Sequence, residues 1–194
     1  MSTGKAIAVC GSPRIDGNTQ ELLQFFCDRV KEQGLETELI LLARNRVEPC
    51  VACQKCKQTK DGACAQKDDE FNAVFDKMKA ADAIVVGSPV YFGCATAQIT
   101  SLLQRAGYVA KANGGMLAGK VGGSIVVARR AGQNFTFGQL NYFFGISDMV
   151  VPGSTYWNIA FGRNKGEVMN DEEGVQTVAH FADNVAALVK KLRA

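Results

Sequence analysis

Four of the seven cysteines fall within fifteen residues, in the spacing Cys50-x2-Cys53-x2-Cys56-x7-Cys64. Thiolates are soft ligands, and three at successive three-residue intervals suit one compact iron–sulfur centre. A structural zinc site presents two separated C-x2-C pairs, and the second pair is missing here. Iron–sulfur ligation, zinc ligation and metal-free thiols are the three readings of Cys50, Cys53, Cys56 and Cys64, and spacing favours the first. Lys55, Lys57 and Lys60 would offset thiolate charge, or they are simply solvated. Cys10, Cys27 and Cys94 lie singly in apolar settings and read as small buried hydrophobes.

A second constellation is Gly11-Ser12-Pro13-Arg14-Ile15-Asp16-Gly17-Asn18-Thr19. Glycines permit a tight turn with exposed N–H groups, and a helix amino terminus adds positive partial charge. Ser12, Asn18 and Thr19 supply short donors, and Arg14 supplies a fork that suits phosphate oxygens. The plainer alternative is an ordinary strand-to-helix turn with Asn18 or Thr19 as N-cap. Four phosphate-type donors in eight residues favour an anion site.

These residues need a scaffold. Five short apolar or β-branched runs, at 6–10, 37–42, 83–87, 124–128 and 149–151, predict strands buried on both faces. Helical patterns lie between them. Leu22, Leu23, Phe26 and Val30 share a face, as do Phe71, Val74, Phe75 and Met78. Ile99, Leu102, Leu103 and Ala106 repeat at helical spacing, and so do Val178, Phe181, Ala182, Val185, Leu188, Val189 and Leu192. A helix over 135–146 is weaker, because Gly138 and Gly145 interrupt it. Alternation of this kind predicts an α/β, doubly wound parallel sheet with helices on both faces. Two segments break the pattern and read as functional loops: 44–67, which carries the four cysteines, and 156–173. With no repeat or linker in view, 1–194 reads as a single domain with a cysteine-rich insertion at about 44–67.

Gly11-Ser12-Pro13-Arg14 followed by Gly17-Asn18-Thr19 resembles the phosphate loop of the NADPH-dependent FMN reductase family, within the flavodoxin-like superfamily. Gly87-Ser88-Pro89-Val90-Tyr91-Phe92-Gly93, and the helix after it with Ala97, Gln98, Leu102 and Arg105, resembles the family's second loop, beside the isoalloxazine ring. Arg129-Arg130-Ala131-Gly132-Gln133 resembles the third. The resemblance implies a flavodoxin-like sheet of order 2-1-3-4-5. It implies FMN held by Ser12, Arg14, Asn18, Thr19, Pro89, Val90, Tyr91, Phe92, Gly93, Arg129, Ala131, Gly132 and Gln133. Within the superfamily, iron–sulfur flavoproteins carry a four-cysteine motif of this kind beside FMN. That likeness implies a [4Fe–4S] cluster on Cys50, Cys53, Cys56 and Cys64. It also implies NAD(P)H or a ferredoxin-like protein as electron donor, no essential acid–base residue, and a homodimer or homotetramer. Arg129 and Arg130 are further candidates for a pyridine nucleotide phosphate, or a solvated pair.

Other signals exclude more than they assign. A net charge of +3 with no basic block argues against nucleic acid. No apolar stretch approaches bilayer length, and the start of the chain lacks a signal-peptide pattern, so the expectation is a cytoplasmic protein. Gly114-x4-Gly119-Lys120 mimics a P-loop but is followed by Val121 and precedes a strand. His180, the only histidine, sits off the apolar face of the last helix and reads as solvated. Tyr156 and Trp157 suit either a flavin or a subunit interface.

Overall fold

Buried strands flanked by amphipathic helices account for most of the chain, and a computed structural model describes residues 4–194. The strands are β1 (Lys5–Cys10), β2 (Glu36–Leu41), β3 (Ala83–Pro89), β4 (Val121–Ala128) and β5 (Ile159–Phe161). The helices are α1 (Asn18–Glu32), α2 (Lys55–Thr59), α3 (Phe71–Ala80), α4 (Ala97–Ala112), α5 (Gln133–Ile146) and α6 (Glu172–Arg193). A 3-10 turn covers Glu167–Asn170. The five strands form one parallel sheet in the order β2-β1-β3-β4-β5, as the flavodoxin-like resemblance implies. Among the described residues no helix is long and apolar enough to cross a membrane.

Side-chain alternation along the strands builds two cores. Ile7, Val9, Ile84, Val86 and Val126 face α3, α4 and α5, while Ala6, Ala8, Val85, Ile125 and Val127 face α1 and α6. On the second face the rings of Phe26 and Phe181 lie 5.7 Å apart, joining α1 to α6. Burying each such side chain stabilises the fold by roughly 1.5–3 kcal/mol.

Two boundaries differ from the sequence expectation, for identifiable reasons. Strand β4 begins at Val121 rather than near 124, because Gly122 and Gly123 belong to it. A Cβ on Gly122 would stand 2.4 Å from Phe144 Cδ1, and one on Gly123 2.4 Å from Phe181 Cζ. Rings from α5 and α6 fill the space of the missing side chains, so these glycines serve packing. The run at 149–151 is not the fifth strand. Val150 makes one parallel bridge with Val121, and the chain leaves the sheet at Pro152-Gly153. It returns at Ile159–Phe161 to pair with Val126–Ala128. The ladder beside β4 is therefore split, and its second piece lies inside the segment read as a loop.

Candidate functional site

Register brings the carboxyl ends of four strands into line, and hydrogen bonds just past those ends fix the loops. Gly11 N–H donates to Gly87 O at 2.7 Å, Val90 N–H to Val127 O at 2.9 Å, and Gly162 N–H to Ala128 O at 3.0 Å. The switch in strand order falls between β1 and β3, where open α/β sheets bind ligands. A cavity of about 470 Å³ opens there, a size that suits a small organic ligand. It is lined by Ser12, Arg14, Asn18, Thr19, Pro89, Val90, Tyr91 and Arg129 from the predicted set.

The cavity is cationic and offers free donors. Arg14, Arg129, Arg163 and Lys165 line it against one carboxylate, Asp16. Gly17, not Asn18 or Thr19, precedes the first turn of α1, and no side chain caps that terminus among the described residues. Its first-turn N–H groups are thus left for a ligand. Ser12 is buried and accepts a hydrogen bond from Arg14 N–H at 3.1 Å, which shapes the turn. Asn18 Nδ2 donates to Asn164 O at 2.8 Å, while its Oδ1 is buried with no partner among the described residues. These features fit the phosphate end of FMN.

The second and third loops meet at the other end. Thr96 N–H donates to Ser88 Oγ at 3.0 Å, and Ser88 Oγ donates to Pro89 O at 2.8 Å. Tyr91 and Cys94 exchange two backbone hydrogen bonds of 2.9 and 3.0 Å around Phe92 and Gly93. Both central residues take positive φ, 51° and 81°, the pattern of a type I′ turn. Phe92 is bulky for that conformation and fully exposed. Phe92 and Gly93 do not line the cavity, and neither do Ala131, Gly132 and Gln133. Gly132, at φ 93°, backs the second loop instead: a Cβ there would stand 2.8 Å from Val90 Cγ1. Gln133 is buried behind it, with Nε2 unpartnered among the described residues. Tyr156 and Trp157 are exposed and also lie outside the lining.

Gly162, Arg163, Asn164 and Lys165 are lining residues that sequence reasoning did not name. Their signal was positional, since they follow the carboxyl end of the true β5 within a segment already flagged as a functional loop.

The four cysteines surround a second, smaller cavity of about 20 Å³, walled also by Arg105, Tyr108 and Val109 of α4. Ala52, Gln54 and Lys60 have positive φ without being glycine, and these kinks turn the segment back on itself. Cys64 is buried, Cys50 and Cys56 are half-buried, and Cys53 is exposed. Ala52 N–H donates to Cys50 Sγ at 3.4 Å, and Cys64 N–H to Asn72 Oδ1 at 2.8 Å. Among the described residues no three His, Cys, Asp or Glu side chains converge as for a single metal ion. The four thiols share the wall of this one cavity. Of the three lone cysteines, burial pushes the Cys10 thiol up to about 11 and that of Cys27 to about 12. Cys94, expected to be buried, is exposed because it closes the tight turn that begins at Tyr91.

The sequence profile of NADPH-dependent FMN reductases matches residues 5–164, which span every strand and all three loops. The chain belongs to the NADPH-dependent FMN reductase family. This family member is an FMN-dependent oxidoreductase. It is 37% identical over 196 residues to an iron–sulfur flavoprotein of Methanocaldococcus jannaschii, covering 97% of this chain and 99% of that one. It is 32% identical over 197 residues to the iron–sulfur flavoprotein of Methanosarcina thermophila, with 97% and 98% covered. Among solved structures it is similar to RosB with bound 8-demethyl-8-formylriboflavin-5′-phosphate, at a TM-score of 0.80 and 19% identity. That match covers 98% of this reductase-family chain and 81% of RosB.

Proposed function

We propose that this chain is one domain that holds FMN in the cationic cavity and a [4Fe–4S] cluster on Cys50, Cys53, Cys56 and Cys64. In this reading it passes electrons from NAD(P)H or a ferredoxin-like donor to an acceptor. The observation that carries the cluster is that all four cysteines line a single cavity. Helix α4 supports both sites, from Thr96 at its start to Arg105 and Val109, and nine residues of helix span about 14 Å.

Bound FMN and cluster would supply hydride acceptance and single-electron transfer, and the polypeptide binds and orients. Ser12, Thr19 and the α1 amino terminus receive the phosphate, with Arg14 and Lys165 closing over it. Pro89, Val90 and Tyr91 form the wall for the ring, while Gly132 and Gln133 hold that wall from behind. Arg129 stands at the rim, where an anionic donor would approach. Val51, Ala52, Cys53 and Gln54, which line the cysteine cavity, are all exposed, so a bound cluster would be held close to the surface.

The outer face of α5 supports a homodimer or homotetramer. Phe135, Tyr142 and Ile146 lie on one side of it, 84%, 80% and 64% exposed. Sedimentation of the purified protein checks the association.

Protein purified without oxygen should show flavin bands together with broad iron–sulfur absorption, and bound iron and acid-labile sulfide. Flavin bleached by NADPH without that absorption identifies a reductase that works without a cluster. Stoichiometric zinc identifies the zinc-stabilised alternative, and a colourless protein overturns the reading.

A further inference from the structure

Arg105 is only 1% exposed, yet it forms part of the wall of the four-cysteine cavity. Its Nη1 donates to Glu48 O at 3.0 Å and to the Asp69 carboxylate, and its Nη2 donates to Gln66 O at 3.4 Å. Glu48 precedes Cys50 and Gln66 follows Cys64, so one guanidinium pins both ends of the ligand segment. Its carbon sits 4.1 Å from the centroid of the Phe71 ring, which seals the far side from water.

Pinning uses the Nη groups alone. The Nε–H is buried and has no hydrogen-bond partner among the described residues. Buried donors are paired as a rule, and an orphan beside a cavity points to what the cavity receives. The ion pair is also oriented: Arg105 lines the cavity, whereas its counter-ion Asp69 does not. A group entering there meets the positive end.

On the iron–sulfur reading given above, we propose that Arg105 is the positioning residue that sets the reduction potential of the four-cysteine centre, through its Nε–H and its buried charge. Each electron accepted there adds one negative charge and breaks no bond. A fixed cation in a dry wall favours that reduced state, as do hydrogen bonds to the cluster's sulfurs.

Wild-type, Arg105→Gln and Asp69→Asn proteins, each purified anaerobically with both cofactors, would be titrated with dithionite and followed by electron paramagnetic resonance. Arg105→Gln should shift the cluster equilibrium at least tenfold toward the oxidised form, which is 59 mV lower for one electron. Asp69→Asn leaves the cation without its counter-charge and should shift the equilibrium the other way, while the FMN couple stays fixed in all three. A purely structural clamp would instead make Lys55, Lys57 and Lys60 easier for trypsin to reach in both variants with neither potential moved, and that result overturns the proposal. If Arg105→Gln does not fold, the upward shift in Asp69→Asn decides alone. Wild-type protein with flavin but no iron–sulfur signal overturns the cluster reading and this inference with it. A cluster whose potential ignores both substitutions overturns only the inference.

Discussion

The Thr96 hydroxyl donates to the carbonyl oxygen of Gly11 at 2.6 Å, across eighty-five residues of sequence. Both residues are buried, and Thr96 also caps α4 by accepting from Ile99 N–H at 3.5 Å. One side chain therefore ties the first loop of the cavity to the helix that supports the second. Thr96→Val keeps the shape and removes the donor, leaving Gly11 O unpaired. The expected cost is about 1–3 kcal/mol of stability. Loss of register between the two loops should weaken FMN binding as well. Thermal melts with and without FMN measure both effects, and an unchanged Tm with unchanged affinity would refute the coupling.

The loop after β5 gives a steric test of the cavity's phosphate end. A Cβ on Gly162 would stand 2.6 Å from Asn18 Nδ2 and 2.9 Å from Val168 N. Gly162→Ala must push Asn18 away or shift the backbone, at a cost of about 1–3 kcal/mol. Arg14→Ala should act differently, since Arg14 is exposed and supports no packing. Losing a charge-assisted bond of about 1.5–3 kcal/mol weakens FMN binding roughly 10- to 100-fold, with the melting temperature of FMN-free protein unmoved. Fluorescence titration of FMN separates the two variants.

Strands β1 and β3 were legible in sequence because both faces are buried, so Ile7, Val9, Val85 and Val86 read as continuous apolar runs. Strand β5 was not, because Met149-Val150-Val151 has the stronger propensity and Ile159–Phe161 is only three residues long. Tertiary register decided between them, and register leaves no local mark. The same holds in the site. Residues 11–19 announce themselves by composition, whereas Gly162–Lys165 matter only because of where β5 ends. Arg105 stood in plain view on an apolar helix face, but its partner Asp69 lies thirty-six residues away and no spacing rule connects them.

The cysteines should separate by reactivity in protein stripped of metal. Cys53 and Cys94 are exposed, whereas Cys10 and Cys27 are buried with thiol pKa values pushed to about 11 and about 12. Brief alkylation followed by mass mapping should label the first pair and spare the second. Cys64→Ser should abolish bound iron while keeping flavin, and Cys94→Ser should keep both. Iron lost equally from the two variants would contradict the assignment of ligands to the cavity.

Acid should loosen the sheet edge through Glu38. This residue of β2 accepts from Lys77 of α3 at 2.6 Å and from Lys5 of β1 at 3.0 Å. The Lys77 hydrogen bond, with that of Lys5, outweighs burial and holds the Glu38 carboxyl below its usual range. A carboxyl depressed in the folded state binds its proton more readily when unfolded. Its contribution is therefore complete above the unfolded pKa and is lost as pH falls through the folded one. The pair is partly solvated, so the contribution is at most about 1 kcal/mol. Glu38→Gln should lower Tm at pH 7 by a few degrees and converge on wild type in acid. Melts across that range read the difference directly, and a gap that persists in acid would assign the loss to packing instead of charge.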